Sequence, residues 1–230
     1  MVKIWQEPAV VYGTEDILTS LCNSVTRVLS VATQCPIQYS GMVQRIGKIC
    51  LKPDIGCFVL FDGGFSGLVV LNFSSSAAME LYESYMLSMG MPKSELANSH
   101  TSDEVSNILG ELMNQMVGDF TSKVRRELQT NITQSQPKML VLTKQVMLSV
   151  DTQLDQPESR RVTFYTGKNN IFYLELAIDR TEFIKLHDFD AEEQVNPDEL
   201  IAQTNAAVPE QAAAPAALDD QDELLKSLGM

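Results

Sequence analysis

Between residues 101 and 128 apolar side chains recur at three- and four-residue spacing: Val105, Ile108, Leu109, Leu112, Met113, Met116, Val117, Phe120 and Val124. At about 100° per residue this pattern predicts one long helix, about 102–128, with a broad apolar face. Thr101, with Glu104 three residues on, reads as a capping box at its start. Similar spacing predicts a helix over 16–32, a shorter one over 75–88 and a last one near 181–186. Alternating and short apolar runs predict strands over 43–51 and 139–150. Two hairpins are predicted, one joining 57–61 to 67–73 through Asp62, Gly63 and Gly64. The other joins 161–165 to 171–178 through Gly167, Lys168, Asn169 and Asn170. Helix, strand, hairpin and helix thus occur twice. The expected fold class is α+β, a pseudo-duplicated domain with a mainly antiparallel sheet and long helices packed on it.

The pattern stops after Phe189. Residues 191–218 are rich in Ala, Pro, Gln and Asn and carry no aromatic side chain, a composition that cannot offset its own ordering entropy. The expected organisation is a globular domain over 1–190, a linker over 191–218 and a short motif over 219–230, where large apolar residues return. Charge follows the same division: residues 191–230 hold nine acidic side chains and one lysine, so the tail supplies −8 of the net −13. Such a chain repels phosphate backbones, which argues against nucleic-acid binding. No run of about 18 apolar residues predicts a membrane span, and the first residues lack the pattern of a secretory signal. Cys22, Cys35, Cys50 and Cys57 show no paired spacing, and His100 and His187 are the only histidines, so no metal site is expected. The cysteines read as reduced thiols of a cytoplasmic protein.

The polar side of the 102–128 helix carries Asn107, Glu111, Asn114 and Gly118 within about 60° of one another. Glu111 and Asn114, three residues apart, are neighbours on that face. Gly118 presents no side chain one turn further on and leaves room for another molecule to approach. By periodicity alone this is an ordinary solvated helix face.

Glu111, Asn114 and then, after 22 residues, Pro137 match the ExxN(22)P signature of the CheC/CheX/FliY family of chemotaxis phosphatases. ILGELMNQMVGDF on the helix and GGFSGLVVLNFSSSAAMELYESYM at 63–86 also resemble that family, and the resemblance covers most of 14–185. It implies a phosphatase acting on the phosphoaspartate of a CheY-like receiver protein, with Asn114 positioning the attacking water and Glu111 contacting the receiver's active-site lysine. Asn107 and Gly118 would border the partner. The family usually has Asp or Ser where Asn107 stands. On the first helix Asp16, Ser20 and Asn23 have the same relative spacing, but Ser20 occupies the glutamate position. The resemblance therefore implies a degenerate first site and one working site, as in CheX. It implies no cofactor bound by this chain, the Mg2+ being carried by the receiver. CheX-like relatives form dimers, and a homodimer is open here too.

DDQDELLKSLGM at 219–230 resembles the C-terminal receiver-binding peptide of CheZ, an unrelated helical phosphatase. Leu224, Leu225 and Leu228 would share one face of a short helix, Met230 standing where CheZ has an aromatic residue. The aspartates and glutamate before them favour the helix N-terminus. The alternative is a terminus that only keeps the protein soluble. For the whole chain the alternative is a non-catalytic receiver-binding module, or an adaptor like the flagellar-switch component FliM, which shares this fold.

Overall fold

The structure of the chain, a computed structural model, describes residues 11–185. In chain order its elements are β1 (Val11–Tyr12), α1 (Thr14–Thr33), β2 (Gln38–Arg45), β3 (Ile49–Leu51), β4 (Ile55–Gly63), β5 (Gly67–Phe73) and α2 (Ser75–Ser88). A 3-10 turn (Lys93–Glu95) follows, then α3 (Asp103–Leu128), β6 (Ile132–Gln134), β7 (Lys138–Val141), β8 (Leu148–Val150), β9 (Pro157–Tyr165), β10 (Ile171–Asp179) and β11 (Phe183–Ile184). The fold is α+β, as the periodicities predict. The expected linker at 191–218 and motif at 219–230 lie outside the described residues.

The central sheet has the order β2-β9-β10-β5-β4-β6, with β7 also on β4, and every pairing is antiparallel. The hairpins β4–β5 and β9–β10 meet at the centre, where Leu71 faces Leu174. Each half of the chain lends its leading strand to the other half's hairpin: β2 lies on β9, while β6 and β7 lie on β4. The duplication is therefore interlocked.

The three helices cover one face of this sheet. Leu18, Leu21, Val25 and Leu29 of α1 and Leu109, Leu112, Met116 and Phe120 of α3 are buried in one core with Val59, Leu71, Phe73, Phe172 and Leu174 of the strands. Each such side chain stabilises the fold by about 1.5–3 kcal/mol, so the apolar stripe fixes which way α3 is turned. The polar face read from the sequence is left outward.

Four expectations are corrected. The strand predicted over 43–51 is two strands, because β3 leaves the central sheet and pairs with β8 across its far face. Two buried polar groups of the central strands hold it there. Asn72 accepts the Lys52 N–H at 2.7 Å and donates to the Cys50 carbonyl at 2.9 Å, while Glu175 accepts the Cys50 N–H at 3.0 Å. Glu175 is completely buried and is balanced by Arg161 at 2.7 Å and Lys52 at 3.5 Å. The strand predicted over 139–150 also breaks in two, β7 pairing with β4 and β8 with β3. The helix predicted near 181–186 is absent from the described residues 181–185, where β11 pairs with β1 and Phe183 packs edge-on against Phe65. The capping box from Thr101 is also not formed. Ser102 is the N-cap and accepts the Val105 N–H at 3.3 Å, while the Glu104 carboxylate takes the hydroxyl of Tyr82.

All four cysteines are free thiols, and burial pushes Cys22 and Cys57 up to about 12, which keeps both inert. Among the described residues no helix is long and apolar enough to cross a membrane, and no group of three His, Cys, Asp or Glu side chains is placed to hold a metal ion.

Candidate functional site

Asn107, Glu111 and Asn114 are exposed on the outer face of α3. Glu111 Oε1 accepts a hydrogen bond from Gln115 Nε2 at 2.9 Å, and Asn114 Oδ1 accepts one from Gln134 Nε2 at 2.9 Å. The face thus carries a carboxylate and a carboxamide side by side, each held by a neighbouring glutamine. A Cβ added at Gly118 would meet nothing within 4 Å, so packing within the chain does not demand a glycine there.

Gln134 reaches Asn114 because of how the chain returns from α3. Gly63 has φ +149, and any Cβ there would strike the Asn131 carbonyl, so the turn at the end of β4 can press against the start of β6 only as glycine. From there β6 runs along Phe61–Gly63 and β7 along Ile55–Phe58, two pieces of one edge strand on β4. Pro137 lies in the break between them. Having no N–H, it suits a strand edge and not a ladder. The proline of the sequence signature therefore shapes the strand that supports Asn114.

The first helix carries the parallel set in a different state. Asp16 Oδ2 accepts the Gly13 N–H at 2.9 Å and so serves the start of α1. Ser20 is half-buried and brings no carboxylate, while Asn23 is exposed and its Oδ1 accepts from the Tyr39 hydroxyl at 3.0 Å. One turn beyond Asn23, where α3 has Gly118, α1 has Arg27, whose guanidinium is tied to Asp119 of α3. Asp119 also pairs with Lys123 at 3.4 Å. Beside Gln115 opens a groove of about 430 Å³ lined by Arg27, Val31, Gln34, Tyr85 and Met89.

Sequence reasoning missed Gln134, Gln115, Tyr39 and Arg27. Arg27 was legible by extending the comparison of the two helices by one turn. Gln134 and Tyr39 depend on where strands β6 and β2 fall against the helices, which no local pattern reports. Leu224, Leu225, Leu228 and Met230 lie outside the described residues.

Comparison with solved structures defines the class of fold. CheX from Desulfovibrio desulfuricans matches with a TM-score of 0.60 and 16% identity, over 71% of this chain and 99% of its own. CheX from Vibrio vulnificus matches at 0.58 and 13%, over 71% and 99%. CheX of Borrelia burgdorferi, solved in a complex with CheY, BeF3 and Mg2+, matches at 0.50 and 14%, over 71% and 98%. The domain therefore has the fold of the CheX/CheC-like chemotaxis proteins, which accords with the resemblance carried by Glu111, Asn114 and Pro137. The chain itself belongs to the family described as "Protein of unknown function (DUF3334)", whose model matches residues 8–230. No curated protein matches it.

Proposed function

We propose that this protein removes the phosphoryl group from the aspartate of a phosphorylated CheY-like receiver. The observation that carries the reading is the pair Glu111 and Asn114, exposed side by side on a rigid helix next to an open Gly118. The fold of a CheX crystallised with CheY supports the choice of partner.

An aspartyl phosphate is an activated acyl phosphate, and the receiver brings the Mg2+ and lysine that neutralise its phosphoryl oxygens. What remains is to hold a water in line. Asn114 would accept a hydrogen bond from that water on Oδ1, leaving the water's lone pair aimed at phosphorus. The water oxygen bonds to phosphorus, the bond from phosphorus to the aspartyl oxygen breaks, and the receiver carboxylate leaves with its electron pair. The water's protons pass to phosphate and solvent. Glu111 would pair with the receiver's lysine and set the register. Asn107, Gly118 and the groove beside Gln115 would border the partner. The first site is degenerate in this reading: Ser20 has no charge to offer, Asp16 is engaged at the helix start, and Arg27 stands over the place that Gly118 leaves open. Phosphate release from a phosphorylated receiver, with and without this protein, is the test. Binding without faster release would leave only a receiver-binding module.

Gly118 gives an expectation whose two parts have opposite signs. Gly118→Ala should stabilise the protein by about 0.5–1 kcal/mol, because it removes backbone freedom from a helix interior where the added methyl meets nothing. The same methyl should weaken receiver binding several-fold. Denaturant titration and binding measured on one preparation check both; a variant that is more stable and binds as wild type does would remove Gly118 from the interface.

The acidic tail is proposed to hold the receiver through Leu224, Leu225, Leu228 and Met230. Between about Phe189 and Asp219 lie some thirty residues, and a flexible linker of that length would reach roughly 30 Å, about the width of a receiver. Tethering raises effective concentration without touching chemistry. Deleting residues 219–230 should therefore raise KM several-fold at unchanged kcat, and steady-state kinetics against receiver concentration would expose a tail that contributes nothing.

A further inference from the structure

Gln134 has no role in the family signature or in the proposed chemistry as stated above, yet it is the side chain that touches Asn114. We infer that Gln134 is a positioning residue that decides which end of the Asn114 carboxamide faces the partner. The inference rests on the phosphatase reading for its kinetic consequence only.

The two ends of a carboxamide have nearly the same shape, so their assignment needs a chemical argument. Here the backbone supplies it. Gln134 Nε2 faces two oxygens of Asn114, the side-chain Oδ1 at 2.9 Å and the main-chain carbonyl at 3.5 Å. A main-chain carbonyl can only accept, so Gln134 must turn its NH2 toward α3. Its own oxygen then lies 3.4 Å from the Thr121 hydroxyl, whose shorter bond goes to the Gly118 carbonyl at 3.1 Å. Asn114 answers a donor, so it must present Oδ1 inward, and its NH2 points out. Among the described residues none accepts from that NH2.

This orientation suits a water-positioning amide. Oδ1 keeps a second lone pair for a proton of the attacking water, while Nδ2 is free to donate to an acceptor on the partner. Fixing the amide beforehand also removes the cost of ordering it when the receiver arrives. Gln134 can do this because β6 is itself fixed, Gln134 facing Phe61 across the ladder.

The degenerate half of the molecule repeats the device with different chemistry. Tyr39, on the strand that follows α1, donates its hydroxyl to Asn23 Oδ1 at 3.0 Å. Burial, and then the nearby Cys22, raises the Tyr39 pKa, so the phenol keeps its proton and remains a donor. Two unlike residues on equivalent strands give one hydrogen to the equivalent oxygen.

The test uses the full chain with two substitutions: Gln134→Met, which keeps the length and loses the donor, and Gln134→Glu, which keeps the shape and turns an acceptor toward Asn114. The side-chain NH2 signals of Asn114 are identified in a 15N spectrum by their loss in Asn114→Ala. They should shift and exchange faster with solvent in Gln134→Met. With a phosphorylated receiver, kcat should fall about tenfold at a KM within twofold of wild type, the size expected for one lost hydrogen bond. Gln134→Glu should lose at least as much. A residue that only fills space would leave kcat intact in both. Unchanged Asn114 signals in Gln134→Met, or kcat within twofold of wild type in both variants, would overturn the inference. A wild-type protein that releases no phosphate would instead sink the phosphatase reading, and the Asn114 signals would still decide whether Gln134 orients the amide. Should Gln134→Glu not fold, Gln134→Met carries both measurements.

Discussion

Replacing Asn114 with Ala is expected to lower receiver dephosphorylation by roughly 10²-fold or more, since orienting one water is nearly all that the site contributes. The fold should hardly respond. Asn114 is exposed on α3, Ala favours a helix interior more than Asn does, and Gln134 is only half-buried, so water can replace the lost acceptor. The stability change should therefore stay under about 1 kcal/mol. Binding of a receiver locked with a phosphate mimic should survive, because Glu111, Asn107 and the surface around Gly118 are untouched. Single-turnover phosphate release separates chemistry from binding. If Asn114→Ala stays within about threefold of wild type at saturating receiver, Asn114 does not position the nucleophile and another group must be sought.

What made Asn114 legible is that helical geometry is local. Nine apolar residues at three- and four-residue spacing determine which side of α3 meets the sheet, so they also determine that Asn107, Glu111, Asn114 and Gly118 share the outer side. The helix predicted over 75–88 has the observed bounds because Ser74 caps it, accepting the Ala77 N–H at 3.2 Å, a signal contained within four residues. Where the reading failed, the deciding group was distant. Nothing in 43–51 says that Asn72 and Glu175 will lift β3 off the sheet, since both belong to strands paired much later in the chain. At the start of α3 the choice between Thr101 and Ser102 was settled from outside as well. Tyr82 of α2 claims the Glu104 carboxylate that a capping box at Thr101 would have used. Around the site the same rule holds: the face of α3 was readable, while Gln134 depended on the register of β6 against β4.

Glu80 shows how large an effect such a silent residue can have. It lies in MELYE on α2, where its spacing resembles any solvated helix position, yet it is 5% exposed. Its carboxylate accepts the Lys168 N–H at 3.0 Å, the Asn170 amide at 2.7 Å and the Thr166 hydroxyl, all in the turn between β9 and β10. Asn169, in that turn, has φ +60, so the loop is held in a conformation that non-glycine residues visit rarely. One buried carboxylate thus anchors a whole hairpin turn to α2. Glu80→Ala would leave three donors without their acceptor, the buried Thr166 hydroxyl among them, which should cost about 3 kcal/mol. For a domain of this size that is a fall of roughly 10 °C in Tm. Glu80→Gln should lose less, because its oxygen still accepts although its NH2 now meets a donor. Neither change touches α3, so phosphate release at a temperature well below the transition should match wild type. Thermal unfolding followed alongside phosphate release separates the two roles. A Tm within about 2 °C of wild type for Glu80→Ala would mean that the turn holds itself, and that the carboxylate is a passenger of the fold it was expected to fasten.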